Sequence, residues 1–284
     1  MPTTTVTAPS SPVTPPGWAD LLARAVTETG TIATAYRAFH GYSLGNQMLA
    51  LTQCLARDIA PGPLATFPRW KDLGRHVQKG QHALTLCMPV TSKRTPAATM
   101  DDDPTRADQP DDDRPAVFTR FIFRPRWFVL SQTDGDAYQM PELPTWDRAR
   151  ALAALDVTET PFDCLDGNTM GYARARTIAI SPVNPHPLKT TFHELAHVLL
   201  GHTAEGDHAD GDRRPRSLRE AEAEGVALLC LDALELPGAD DARGYIQHWY
   251  GAGHPIPDRS AQRMFHAADQ ILAAGRPPVT RKAD

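Results

Sequence analysis

The chain has 284 residues, 41% hydrophobic and 22% charged, with a formal net charge of −5, enough apolar material for two moderate cores or one large one. That balance excludes a basic coat over the whole surface, so any nucleic-acid contact has to come from a local patch. Four widely separated cysteines exclude a disulfide framework, and no apolar run approaches bilayer-spanning length, so the expectation is a cytoplasmic protein with no membrane contact.

Met1 to Pro16 is rich in Thr, Ser and Pro and lacks the charged start and apolar centre of a secretion signal; it reads as a disordered arm. From Trp18 to Arg57 the apolar residues recur at helical spacing, with Gly30 and Gly41 as punctuation. Ala83, Leu84, Leu86 and Met88 then fit a strand bounded by Gly80 and Pro89. Ser92 to Pro115 turns abruptly to Pro, Ala and Asp, with triple aspartates at 101–103 and 111–113. It reads as a flexible acidic insertion within a hairpin, lacking the spacing of a calcium loop. Val117 to Leu130 resumes strand character and is expected to pair with the strand before the insertion. Pro141 and Pro144 mark a join near residue 145.

Cations and rings interleave in the N-terminal half: Arg69, Trp70, Lys71, Arg75 and Lys79, then Arg124, Arg126 and Trp127. This is the composition wanted for single-stranded DNA, where cations track phosphates and exposed rings stack on bases. Trp70 and Trp127 fit equally as core residues, with the cations as ordinary surface cover.

After a short helix over 146–155 and a strand at Thr177–Ile180 comes Thr191-Phe192-His193-Glu194-Leu195-Ala196-His197. Residues i and i+4 share a helix face, so His193 and His197 can present both imidazoles to one metal ion. Glu194 sits about 100° round the helix, beside such an ion, where its carboxylate can take a proton from the attacking water and return it to a leaving amine. Pro187 suits the first helical position and Gly201 the C-terminal cap.

A catalytic zinc also needs a third protein ligand. The following acidic helix carries Glu220 and Glu224 on one face, so one carboxylate can bind the metal while the other orients a histidine ring; Glu222 points away from both. Glu220 is the ligand choice and Glu224 the orienting one, with the two roles exchangeable. Ser217 with Glu220 also reads as a capping box. His202 reads as a helix-terminal histidine on the last carbonyls, and His208 falls in a polar loop. The ligand set suits zinc and also accepts manganese or cobalt.

Tyr42-Ser43-Leu44-Gly45-Asn46-Gln47-Met48-Leu49, then Phe67 to Gly80, then Val129-Leu130-Ser131-Gln132-Thr133 resemble successive blocks of the ArdC-type single-stranded-DNA-binding domain. The second half resembles the metallopeptidase domain of those proteins, related to the ImmA/IrrE endopeptidases, through His193 to His197 and Glu220 to Ala227; together the blocks span roughly Trp18 to Tyr250. The resemblance implies His193, His197 and Glu220 as zinc ligands and Glu194 as the acid/base of an HExxH, gluzincin-like endopeptidase. It also implies an N-terminal module for single strands in a mobile-element protein that protects DNA from restriction. The acidic insertion and Gly45 depart from the family pattern.

The resulting expectation is an α+β protein of two domains. Residues 17–144, helices with a small antiparallel sheet, form the DNA module, and residues 145–284 form a zincin-like metallopeptidase. Single-stranded DNA is the expected partner, with a peptide substrate unspecified. Two rivals stand beside it: a regulatory endopeptidase that cleaves a repressor and uses DNA only as localiser, and a DNA-binding protein whose metal is purely structural.

Overall fold

Three short helices open the described chain, which in this computed structural model covers residues 16–93, 117–203 and 215–278. The N-terminal arm up to residue 15, residues 94–116 of the acidic insertion region, and His208 lie outside the described residues. Helix α1 (Trp18–Thr27) buries Leu21, Leu22, Ala25 and Val26, the stripe its spacing predicts. Gly30 adopts φ 78° at the start of α2 (Thr31–Phe39), a conformation that favours glycine. Helix α3 (Leu44–Ala56) follows and is buried along most of its length.

Strand β1 (Leu64–Thr66), helix α4 (Phe67–Asp72), and strands β2 (Arg75–Val77) and β3 (Leu84–Lys93) come next. Strand β4 (Val117–Val129) returns antiparallel to β3, as expected for a hairpin around the insertion, and the sheet order is β1-β4-β3. Strand β3 runs past Pro89, its expected end, because β3 lies at the sheet edge, where a residue without an N–H is tolerated. After a 3-10 turn at Leu130–Gln132, strand β5 (Thr133–Gly135) pairs with β2.

Polar residues of the sequence blocks act as clamps in this half. The Asn46 amide donates to the Cys87 carbonyl and accepts from the Cys87 N–H, both at 2.8 Å, tying α3 to β3. Gln132, 1% exposed, accepts from the Val129 N–H and donates to the His82 carbonyl, so the end of β4 and the loop before β3 share one amide.

The later half contains α5 (Arg148–Ala154) and a second three-stranded sheet: β6 (Thr158–Glu159), β7 (Gly171–Arg174) and β8 (Thr177–Ile180), in the order β6-β8-β7. It leads into α6 (Pro187–Leu199), then α7 (Arg216–Ala233), α8 (Ala239–Gly251) and α9 (Asp258–Ala274). The architecture is therefore mixed helices and small sheets, an α+β arrangement, and no described helix is long and apolar enough to cross a membrane.

The hydrophobic core runs without a gap from α1–α3 into α7 and α9. Buried Arg243 on α8 reinforces the junction: its guanidinium donates to the Ala25 and Val26 carbonyls at the end of α1 and to the Asp232 carboxylate on α7. Arg276, just beyond α9, donates to the Tyr36 hydroxyl and the His40 carbonyl. Among the described residues, the elements before and after residue 145 thus pack on one another through this core.

Candidate metal centre

Helix α6 is fixed by its apolar face. Phe192, Leu195 and Ala196 are fully buried, Trp146 packs edge-on against Phe192 at 5.0 Å, and Gly201 at φ 75° ends the helix. With that face pinned against α7, His193 and His197 project together towards Glu220. The two Nε2 atoms are 3.0 Å apart, and Glu220 Oε2 lies 3.4 Å from the His193 Nε2 and 3.5 Å from the His197 Nε2.

These separations match a metal's needs. Ligand bonds of about 2.0–2.1 Å in a tetrahedron put donor atoms roughly 3.3–3.4 Å apart. Two imidazole nitrogens and a carboxylate oxygen at 3.0, 3.4 and 3.5 Å therefore fit an ion among them. The donor set fits a divalent cation of the first transition row without selecting one.

The charges of the cluster reflect this crowding. Burial pulls His193 towards its neutral form, but the Glu220 and Glu224 carboxylates outweigh it and lift the imidazolium to about 9. The His193 and His197 rings hold Glu220 well below the usual carboxylate range. Burial pushes Glu194 up, opposed by His193 and His197, so its enclosed carboxyl is a better proton acceptor than one in water.

Glu224 accepts from the Lys189 ammonium at 2.9 Å and faces His193 Nδ1 at 3.9 Å. It stands on the side where an orienting carboxylate belongs, although at that distance the pair is an ion-pair contact rather than a hydrogen bond. Lys189 went unread in the sequence, though its place four residues before His193 puts it on the same helix face. The capping-box alternative for Glu220 does not form: Pro215 occupies the N-cap of α7, with no side-chain cap.

His202 differs from its expectation. Its backbone N–H does donate to the His197 carbonyl, but its ring lies 3.0 Å from His197 Nδ1 and 3.0 Å from Glu222 Oε2. Glu222, fully buried, does point away from Glu220 and Glu224, and it points at this ring. The chain reversal at Gly201 brings a sequence-distant carboxylate and a helix-terminal histidine together, which helical spacing alone does not reveal. Tyr245 on α8 is a further neighbour: burial, then Glu220 and Glu224, push its phenol up.

The residues proposed for DNA divide. Arg69, Lys71, Lys79, Arg124 and Arg126 are exposed, as phosphate contacts require. Arg75 is half-buried and committed to the Thr133 hydroxyl and carbonyl. Trp70 is 1% exposed, donates its indole N–H to the Phe128 carbonyl at 2.8 Å and packs edge-on against Tyr138. Its ring cannot stack on a base, because the one-turn helix α4 rotates it inwards while Arg69 and Lys71 face out.

Residues 22–121 match the family model of the N-terminal domain of anti-restriction factor ArdC. Two solved structures are similar over most of the chain. One is a metal-free crystal structure of the antirestriction ArdC protein from the R388 plasmid, 17% identical, covering 91% of this chain and 94% of that one with a TM-score of 0.49. The other is its Mn(II)-bound structure, 18% identical, covering 91% and 96% with a TM-score of 0.48. The comparison with curated proteins finds no match.

Proposed function

We propose that this chain, whose residues 22–121 match the model of the ArdC N-terminal domain, is an antirestriction-type protein that binds single-stranded DNA and carries a metallopeptidase site in a zincin-like second half. The observation that carries the metal part is the triangle of His193, His197 and Glu220 donors with buried Glu194 alongside. A purely structural ion would have no use for that carboxylate.

His193, His197 and Glu220 would hold the ion, zinc in the first instance, with Glu224 and Lys189 bracing His193. When bound, the ion polarises the scissile carbonyl and lowers the pKa of water. Glu194 takes the proton as water adds to that carbonyl, then delivers it to the amine as the C–N bond breaks, so proton and leaving group balance. Burial favours this role by making the ionised carboxylate less stable than in water. Strand β8, the strand read from the sequence as leading into α6 and able to pair with an extended peptide, is central in its sheet, so such a peptide would pair instead with edge strand β7, which packs on α6.

That same enclosed Glu194 and the edge position of β7 favour a second reading, a regulatory endopeptidase for which DNA is only a localiser. For the metal centre, the test is bound metal in the purified protein after exposure to zinc, manganese or cobalt. His193→Ala, His197→Ala and Glu220→Ala are expected to lose the ion, and Glu194→Gln to keep it. Full retention in His193→Ala would refute the site, and loss in Glu224→Ala with retention in Glu220→Ala would exchange the two glutamates.

A further inference from the structure

Among the described residues, the large exposed rings of the ArdC-type segment are Phe67 and Phe121, with Phe123 just beyond its end, now that Trp70 is enclosed. Phe121 and Phe123, 59% and 42% exposed, lie two residues apart on β4 and so face the same side of the sheet. Their partners on edge strand β3 are Pro89 and Cys87, and Cys87 is clamped by Asn46 at the start of α3. Next to this pair of rings opens a cavity of about 410 Å³ between the β3–β4 hairpin, α1, the first turn of α3, and α9.

The chemistry of the cavity is mixed in a specific way. Trp18, Phe121 and Phe265 supply ring surface, while Arg259 and Arg263 bring positive charge. Ser43, Asn46 and Asp269 supply polar groups. The α9 contribution follows from periodicity: Arg259, Arg263 and His266 recur at i, i+4 and i+7, and Asp269 extends the stripe by three, so one helix face presents them all. Arg263 is held by donating to the Leu200 carbonyl at the end of α6. A purely apolar ligand would waste these charges, and a purely anionic one would waste the rings.

We propose that this cavity receives one nucleotide of a DNA strand, its base against Phe121 and the Trp18 and Phe265 walls and its phosphate near Arg259 and Arg263. The inference rests on the single-strand reading above and deepens it. A volume of about 410 Å³ lies within the range of small-ligand pockets, roughly 300–1,000 Å³, which accommodates a nucleotide. Unpaired bases can leave a strand and stack on such a ring, whereas bases in a duplex are held in their own stack. The site therefore explains a preference for single strands by access as well as by charge. It also needs both halves of the chain: Gly45, Asn46, Cys87 and Phe121 come from the ArdC-type segment, and Arg259, Phe265 and Asp269 from α9.

The test is binding of labelled oligothymidylate to the full-length protein over a salt series, with competition by free thymidine monophosphate. Phe121→Ala and Phe121→Leu are each expected to weaken binding about tenfold, given roughly 1–3 kcal/mol for stacking one base. Arg259→Ala with Arg263→Ala should weaken it and flatten the salt slope by about one to two phosphates. Trp70→Phe should bind like the parent. Thermal melts identify any variant that has lost its fold, and Phe121→Leu keeps apolar volume where Phe121→Ala does not. Normal binding by the Phe121 and arginine variants, alongside loss in Arg69→Ala/Lys71→Ala, would overturn the cavity while leaving the DNA reading intact. No strand binding by the parent would overturn both, and tight monophosphate binding without strand binding would make this a free-nucleotide site.

Discussion

His202 stands between Glu222 and His197, its Nε2 3.0 Å from the Glu222 carboxylate and its Nδ1 3.0 Å from His197 Nδ1. If the Nε2 proton goes to Glu222, the His202 Nδ1 lone pair accepts from His197 Nδ1–H, which leaves the His197 Nε2 lone pair facing His193 and Glu220. The orienting partner of His197 is thus another histidine, itself oriented by a buried acid. Loss of such a partner typically costs 10–100-fold in metal affinity, so His202→Ala should weaken zinc binding by about that factor. Competition with a chromophoric chelator measures it, and an unchanged affinity would reduce His202 to packing.

Asp269 gives the protein a pH-dependent stability. Burial raises its carboxyl to about 7, against the opposing Leu44 N–H hydrogen bond and the nearby Arg276 charge. In the unfolded chain its pKa is about 3.9. Between those values the folded state holds a proton that the unfolded state has lost. The stabilisation is therefore full below about pH 4 and lost as pH rises through 7. The Tm of the parent should fall between pH 5 and 8 by several degrees more than that of Asp269→Asn, whose amide carbonyl can still accept from Leu44. Parallel Tm curves for the two proteins would show that the carboxyl titrates as it does in water.

Gly45, a departure from the family pattern, has a steric reason in the structure. A Cβ there would lie 2.4 Å from the Trp18 ring, a rigid wall rather than a flexible chain end. Gly45→Ala gains at most about 1 kcal/mol of helix propensity, and overpacking costs about 1–3 kcal/mol, so net destabilisation of about 1 kcal/mol is expected. Denaturant titration checks the sign. Because Trp18 also lines the cavity beside α9, its fluorescence should shift in the same variant.

Helix α6 was legible from the sequence because everything that defines it is local: Pro187, the apolar spacing and the i, i+4 histidines lie within it, and Gly201 follows directly after its cap. The hairpin was legible too, since aromatic strand character resumes on both sides of the acidic stretch. What escaped depends on how elements meet. Trp70 sits in a run of exposed cations, and only the short turn of α4 beneath the sheet decides that its ring goes inwards. The α9 stripe of Arg259, Arg263, His266 and Asp269 has a visible period, yet its neighbours Phe121 and Trp18 lie more than a hundred residues away. Likewise, nothing in the sequence around Pro141 and Pro144 reveals that Arg243 reaches back across that join to the end of α1.

Whether protection of DNA requires proteolysis separates the shielding function from the regulatory one. If the DNA surface shields by occupancy, Glu194→Gln should protect DNA from a restriction nuclease as well as the parent does. Its carboxylate is buried on α6 beside His193 and His197, so the isosteric amide removes proton transfer without touching an exposed cation. Substituting Arg69 and Lys71, both exposed, together with Arg75 should abolish protection by removing phosphate contacts. Arg75 also braces β5, so the Arg69/Lys71 pair alone serves as the variant with fold least disturbed. The measurement is survival of incoming plasmid DNA in a restricting host, with metal content and strand affinity of each variant determined alongside. Loss of protection in Glu194→Gln at normal metal content and DNA affinity would overturn shielding and make peptide cleavage the activity that matters.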